Sequence, residues 1–126
     1  EDVARALILH GAAVDSARQN NATPLYASCQ NGHEAVARLL LQHGAWLDAA
    51  MHDGMTPLCI SCEKGHESVA RMLLQHGATL DKAEQSGHTP LCISCEHGHP
   101  SLARLLLERG AAVDAVAQDG VTPLSI

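Results

Sequence analysis

Aromatic residues are almost absent from this sequence of 126 residues, which contains one Trp, one Tyr and no Phe. A buried core must therefore be built from Leu, Val, Ile, Ala and Cys. Long apolar runs are also missing, and a membrane-spanning helix needs roughly 20 of them in a row, so we expect no membrane insertion. Lys and Arg number 8 against 14 Asp and Glu, for a net charge of −6. Because the few basic residues are scattered, the composition argues against nucleic acid as a partner.

A complete set of disulfides is not indicated either, because the five cysteines cannot all pair with one another. An odd number of cysteines favours reduced thiols, and reduced thiols are typical of intracellular proteins. No segment of the sequence looks like a signal peptide. We therefore expect an intracellular location, in the cytoplasm or the nucleus.

The sequence does contain a strict internal repeat. Several dipeptides recur at one constant spacing without insertions, and such self-similarity indicates a repeat architecture. Thr-Pro begins at Thr23, Thr56, Thr89 and Thr122, Gly-His begins at Gly32, Gly65 and Gly98, and Gly-Ala begins at Gly11, Gly44, Gly77 and Gly110.

One copy of the repeat, from residue 53, can be interpreted as two short helices. Thr56 is suited to cap the first helix, and Pro57 is suited to its first turn, where a missing N–H costs nothing. This helix is predicted from Leu58 to about Lys64 and should end at Gly65. Apolar residues at helical spacing then predict a second helix from about Glu67 to Gln75. Neither helix can bury its apolar face alone, so each copy needs its neighbours.

These features together resemble the ankyrin repeat, whose motif is close to D-G-x-T-P-L-H-x-A-A-x-x-G-H-x-x-V-V-x-x-L-L-x-x-G-A-D-V-N. The clearest copy is DGMTPLCISCEKGHESVARMLLQHGATLD, residues 53–81. The resemblance covers the whole chain and implies an all-α-dominated repeat solenoid, in which stacked helix-turn-helix units are joined by short β-turn fingers. A single domain, residues 1–126, is expected, with full copies at 20–52, 53–85 and 86–118 and partial copies at 1–19 and 119–126.

Two C-x-x-C pairs, Cys59/Cys62 and Cys92/Cys95, raise the alternative of a zinc or redox module. Equivalent positions of packed helices lie about 8–10 Å apart, whereas zinc needs every sulfur about 2.3 Å from one ion. We therefore expect cysteines that pack as small apolar residues, and neither a metal nor another cofactor. A thiol-based role stays open as the less favoured alternative. Its reactive members would be Cys59 and Cys92, with Cys29, Cys62 and Cys95 buried.

No catalytic arrangement and no phosphate-binding glycine loop can be identified in the sequence, so an enzyme is not expected. The resemblance implies a scaffold that binds a protein or a peptide on its concave face, which the fingers and the first helices form. The candidate partner-binding residues are Gln19, Ala22, Tyr26, Gln30, His52, Met55, Glu63, Lys64, Gln85, His88, Glu96 and His97. Tyr26 and Met55 are the expected apolar anchors. The alternative function is a self-assembling unit that stacks head to tail through uncapped ends.

Overall fold

The computed structural model describes residues 23–113, which form a series of six short α-helices. They are α1 (Pro24–Gln30), α2 (Glu34–Gln42), α3 (Pro57–Lys64), α4 (Glu67–Gln75), α5 (Pro90–Glu96) and α6 (Pro100–Glu108). Between residues 23 and 113 there is no β-strand, and none of these helices is long and apolar enough to cross a membrane. The predicted helical repeat solenoid is confirmed, and the helices predicted in the second copy match α3 and α4 to within one residue.

The Thr-Pro pair begins each first helix as a cap. The Thr56 backbone is extended, and its hydroxyl accepts a hydrogen bond from the Cys59 N–H at 3.1 Å. This bond satisfies one of the N–H groups that a helix leaves without a partner in its first turn. Gly65 ends α3 in the left-handed region, with a φ of 75°. Thr23 and Thr89 cap α1 and α5 in the same way.

The helices are arranged in two layers. The first helices contact one another, α1 on α3 and α3 on α5, and the second helices do the same, α2 on α4 and α4 on α6. The two helices of each copy also contact each other. The core is aliphatic, and Leu58, Leu73 and Leu106 are at most 1% exposed. Because aromatic rings are so scarce, the stack depends on close packing between small and branched side chains.

Histidine side chains join each copy to the copy before it. The imidazole of His66 donates to the carbonyl of Gln30 at 3.1 Å, and that of His99 donates to the carbonyl of Glu63 at 3.0 Å. The rings also lie over the glycines that follow the preceding first helices, and a Cβ built on Gly65 would lie 2.6 Å from the His99 ring. Glycine is therefore required at residue 65 both by its left-handed backbone and by this close approach.

A second set of hydrogen bonds joins the loops that follow the second helices. The Asp48 carboxylate accepts from the Thr79 N–H at 3.1 Å and from the Thr79 hydroxyl at 2.8 Å, and Lys82 donates to the Asp48 carbonyl at 3.2 Å. In the next copy the Asp81 carboxylate accepts from the Ala112 N–H at 3.0 Å. Successive copies are thus connected at both the helix ends and the loops.

Exposed ion pairs on the second helices contribute little to stability compared with these contacts between copies. Glu34 lies 2.6 Å from Arg38 on α2, and Glu67 lies 3.0 Å from Arg71 on α4. All four side chains are well exposed, so each pair contributes about 0.3–0.5 kcal/mol. On α6 the equivalent glutamate position is Pro100, which cannot form such a pair.

Replacing Gly65 by Ala tests the contact with the imidazole, because Gly98 offers a matched control. The two glycines lie in the same register with φ values of 75° and 74°, but only Gly65 is covered by a histidine ring. Gly98→Ala should destabilise the fold by about 1–2 kcal/mol through its left-handed backbone alone. Gly65→Ala should cost about 1 kcal/mol more, since the His99 ring must move and its hydrogen bond is lost. Urea unfolding followed by circular dichroism measures both changes, and equal losses would contradict a role for the ring.

Candidate functional site

The segment between two copies folds into a finger that its own backbone closes. The Met51 N–H donates to the Met55 carbonyl at 3.0 Å, and the Gly54 N–H donates to the Met51 carbonyl at 2.9 Å. The next finger repeats both bonds at the equivalent positions, and the Gln85 N–H joins the two fingers by donating to the Asp53 carbonyl at 2.6 Å. We define the finger surface as residues 51–55 and 84–88 together with the non-core side chains of α1, α3 and α5 and with His97, which follows α5.

The structure places the predicted partner-binding residues at different depths. The exposed ones are Gln30, His52, Lys64, Gln85, Glu96 and His97, and the partly buried ones are Glu63 and His88. Gln19 and Ala22 lie outside the described residues. Trp46 lies in the loop after α2 and is 63% exposed. A role for the exposed residues in binding stays a prediction.

Tyr26 and Met55 lie in the core, where they are only 5% and 8% exposed. The pKa of the Tyr26 phenol is raised by burial and, to a smaller extent, by the nearby carboxylates of Asp53 and Glu63. Both carboxylates belong to the next copy, which covers the tyrosine. This burial corrects the expectation that Tyr26 and Met55 are apolar anchors presented to a partner.

Carboxylates determine the electrostatic character of the finger surface. Asp53 and Glu84 lie in the two fingers, and Glu63 and Glu96 lie at the ends of α3 and α5. Lys64 offsets part of this charge, with its ammonium 3.8 Å from the Glu63 carboxylate. The surface is therefore acidic at neutral pH.

Four of the cysteines are buried, as expected for side chains that pack as small apolar groups. Cys29, Cys59, Cys62 and Cys92 are at most 2% exposed. Burial raises the pKa of the Cys29 thiol to about 12, although a hydrogen bond with Ser61 acts in the opposite direction. Burial also raises the pKa of the Cys59 and Cys62 thiols. These thiols are therefore poor nucleophiles in the folded chain.

Cys95 is the exception, and its placement corrects the expectation about which thiols are accessible. The sequence predicted that Cys59 and Cys92 would be the reactive members and that Cys95 would be buried. Instead Cys95 is partly exposed and borders an open pocket. The pocket is lined by Cys95, Gly98, His99, Pro100, Ala103, Arg104 and Leu107. On α1 the position equivalent to Cys95 is Cys29, and α3 covers it. The Cys29 thiol lies against Ser61 of α3.

A cluster of metal-ligating side chains was not found by sequence reasoning. An imidazole nitrogen of His88, the sulfur of Cys92 and a carboxylate oxygen of Glu96 all lie within 4.8 Å of one another. Glu84 lies beside this cluster, with a carboxylate oxygen 3.4 Å from His88 Nδ1. Cys92 and Glu96, four residues apart, lie on one face of α5, and His88 directly precedes the Thr89 cap of that helix. That signal was present in the sequence, but the Thr-Pro cap separates His88 from the other two.

Thiol labelling of the folded, reduced chain tests the placement of the cysteines. We expect Cys95 to react first with iodoacetamide at pH 8, and Cys29, Cys59, Cys62 and Cys92 to react on the order of tenfold or more slowly, since they require local opening. Peptide mass spectrometry over a time course gives the rate at each cysteine. Cys95→Ser should remove the fast phase, whereas fast labelling of Cys59 would contradict the structure.

Comparison with protein families gives two matches that together extend over most of the chain. A model of ankyrin repeats in three copies matches residues 1–84, and a model of the ankyrin repeat matches residues 86–118. No curated protein matches the sequence. Ankyrin repeats are generally protein–protein interaction modules and are typically non-catalytic. The family matches agree with the constant spacing of the repeat, the capped first helices and the two stacked layers, and the chain belongs to the ankyrin repeat family.

Proposed function

We propose that the chain binds a protein or a peptide on its finger surface and carries out no chemistry there. The observation that carries this proposal is a contrast between the surface and the core. Near the end of the first helix the copies present Gln30, Glu63 and Glu96, whereas the second residue of that helix is a buried Leu in each copy. Surface positions that do not serve the stack can be fitted to a partner, which is how solenoids create specific binding surfaces.

The charge of the finger surface indicates the chemistry of the partner. Four carboxylates against the ammonium of Lys64 favour a segment that carries Lys or Arg, because complementary charge steers association and rejects the wrong partners. His52, Gln85 and His97 add exposed groups that can donate or accept hydrogen bonds. A nucleic acid would be repelled by the same carboxylates.

The proposed setting is a reducing intracellular compartment, the cytoplasm or the nucleus, because the described cysteines are free thiols. Head-to-tail association between molecules of this chain stays a separate prediction. Light scattering over a concentration series tests it, and a constant monomer mass would contradict it.

A pair of charge variants tests the finger surface. Glu63→Gln combined with Glu96→Gln removes two carboxylates and installs the residue that the first copy carries at the same position, Gln30. The matched control, Glu34→Gln combined with Glu67→Gln, removes the same charge from α2 and α4. Partners are captured from a lysate with each protein in the presence of a chelator, identified by mass spectrometry, and measured again as purified proteins by calorimetry.

We expect the finger variant to bind such a partner about tenfold more weakly, since the loss of two interface charges costs about 1.4 kcal/mol. The control should bind as the unaltered chain does. Equal weakening by both variants would indicate a general charge effect, and weakening by the control alone would place the binding site on the second helices. Either result contradicts the proposal.

A further inference from the structure

Three side chains of the third copy converge at the base of its finger. His88 directly precedes the Thr89 cap of α5, Cys92 lies in the first turn of α5, and Glu96 is its last residue. Their ligand atoms lie within 4.8 Å of one another. They also form a gradient of burial, because His88 is partly buried, Cys92 is 2% exposed and Glu96 is exposed. An ion can therefore enter from solvent on the side of Glu96, and Cys92 can bind it next to the helix.

We propose that His88, Cys92 and Glu96 bind a divalent transition metal ion of the zinc class. Imidazole nitrogen, thiolate sulfur and carboxylate oxygen are the three ligand types that zinc takes in proteins. Two ligands of one tetrahedral ion lie about 3.5 Å apart, given bonds of about 2.0–2.3 Å. The observed separations of up to 4.8 Å thus require a closure of about 1 Å. A rotamer change of the exposed Glu96 can move its carboxylate toward the other two ligands.

Glu84 provides the hydrogen-bonding carboxylate that usually orients a metal-bound histidine. One of its carboxylate oxygens accepts from the His88 backbone N–H at 3.0 Å and lies 3.4 Å from Nδ1 of the same residue. A carboxylate on one ring nitrogen fixes the tautomer, so the other nitrogen offers its lone pair to the metal and becomes a better ligand. Glu84 is therefore a positioning residue in this proposal and not itself a ligand.

The other copies show that this set of side chains is not a requirement of the fold. The equivalent residues are Met55, Cys59 and Glu63 in the second copy, so the cysteine and the glutamate recur without the histidine. The residue equivalent to Glu84 is Met51, which cannot orient an imidazole. The complete set of ligands with its supporting carboxylate is therefore found only at the second of the two described fingers.

Three protein ligands leave a fourth position of a tetrahedral ion open. The cluster lies on the finger surface, so the fourth ligand is either water or a side chain that a bound partner supplies. Metal binding by the chain alone does not depend on the proposed partner. A metal titration can therefore fail without affecting the proposed partner binding, and the reverse also holds.

Titration of the full-length, reduced and metal-free chain with Co²⁺ tests the site. We expect one equivalent to bind with a thiolate-to-cobalt charge-transfer band in the near ultraviolet, and we expect Zn²⁺ to displace it. His88→Met installs the residue of the second copy and should weaken binding at least about tenfold. Glu84→Gln should weaken Zn²⁺ binding about 10–100-fold in a chelator competition, as for other residues that support a metal-bound histidine. Cys92→Ser should abolish the charge-transfer band.

Two controls separate this site from the many other histidines and thiols. His52→Gln installs the residue found at the equivalent position of the next finger, Gln85, and Cys95→Ser removes the most accessible thiol. Both variants should still bind one equivalent of Co²⁺ and show the charge-transfer band. Circular dichroism establishes that each variant is folded. The proposal is overturned if the unaltered chain shows no saturable equivalent, if His88→Met binds as tightly as the unaltered chain, or if the band is lost with Cys95→Ser instead of Cys92→Ser.

Discussion

The packing of each helix pair on the next is the interaction on which the rest of the structure depends. A first helix of seven or eight residues cannot be stable alone, and neither can its partner of nine residues. Stability comes from the neighbours, through the aliphatic core and through the imidazoles of His66 and His99, which reach back to the preceding copy. Such a stack is a sum of nearest-neighbour interfaces. Its interior positions are therefore fixed by repetition, and its finger surface can vary.

Much of this framework follows from local chemistry that the sequence makes visible. Thr56 and Pro57 start α3, and a glycine with a left-handed backbone ends it. Apolar residues at helical spacing then mark α4, so the bounds of both helices could be predicted closely. The constant spacing of the Thr-Pro pairs then extends these bounds to the other copies.

The residues that sequence reasoning misplaced are those whose environment depends on which face a neighbour covers. Tyr26 is expected from a single copy to be an accessible apolar anchor, but the next copy brings Asp53 and Glu63 close to it and buries it. Cys95 has the same local sequence as Cys62, yet it borders a pocket whereas Cys62 is covered. A repeated pattern assigns these positions the same environment, and only the stacked structure distinguishes them.

The finger surface combines acidic charge with differences between copies, which is why both proposals are placed there. Its carboxylates suit a basic protein segment, and in the third copy they lie beside an imidazole and a thiol that complete a set of metal ligands. Because Glu96 belongs to both proposed sites, an ion and a basic side chain would compete for Glu96 or share it. The metal would then tune partner binding through a single copy of the repeat.

The most direct test of the central claim, that partner binding uses the finger surface, is an NMR titration of the isotope-labelled chain with the purified partner. We expect the amide shifts to change most at Gln30, His52, Lys64, Gln85 and His97, and to change little at Arg38 and Arg71 on the second helices. Changes confined to α2, α4 and α6 would contradict the claim, because the partner would then bind the opposite layer of the solenoid.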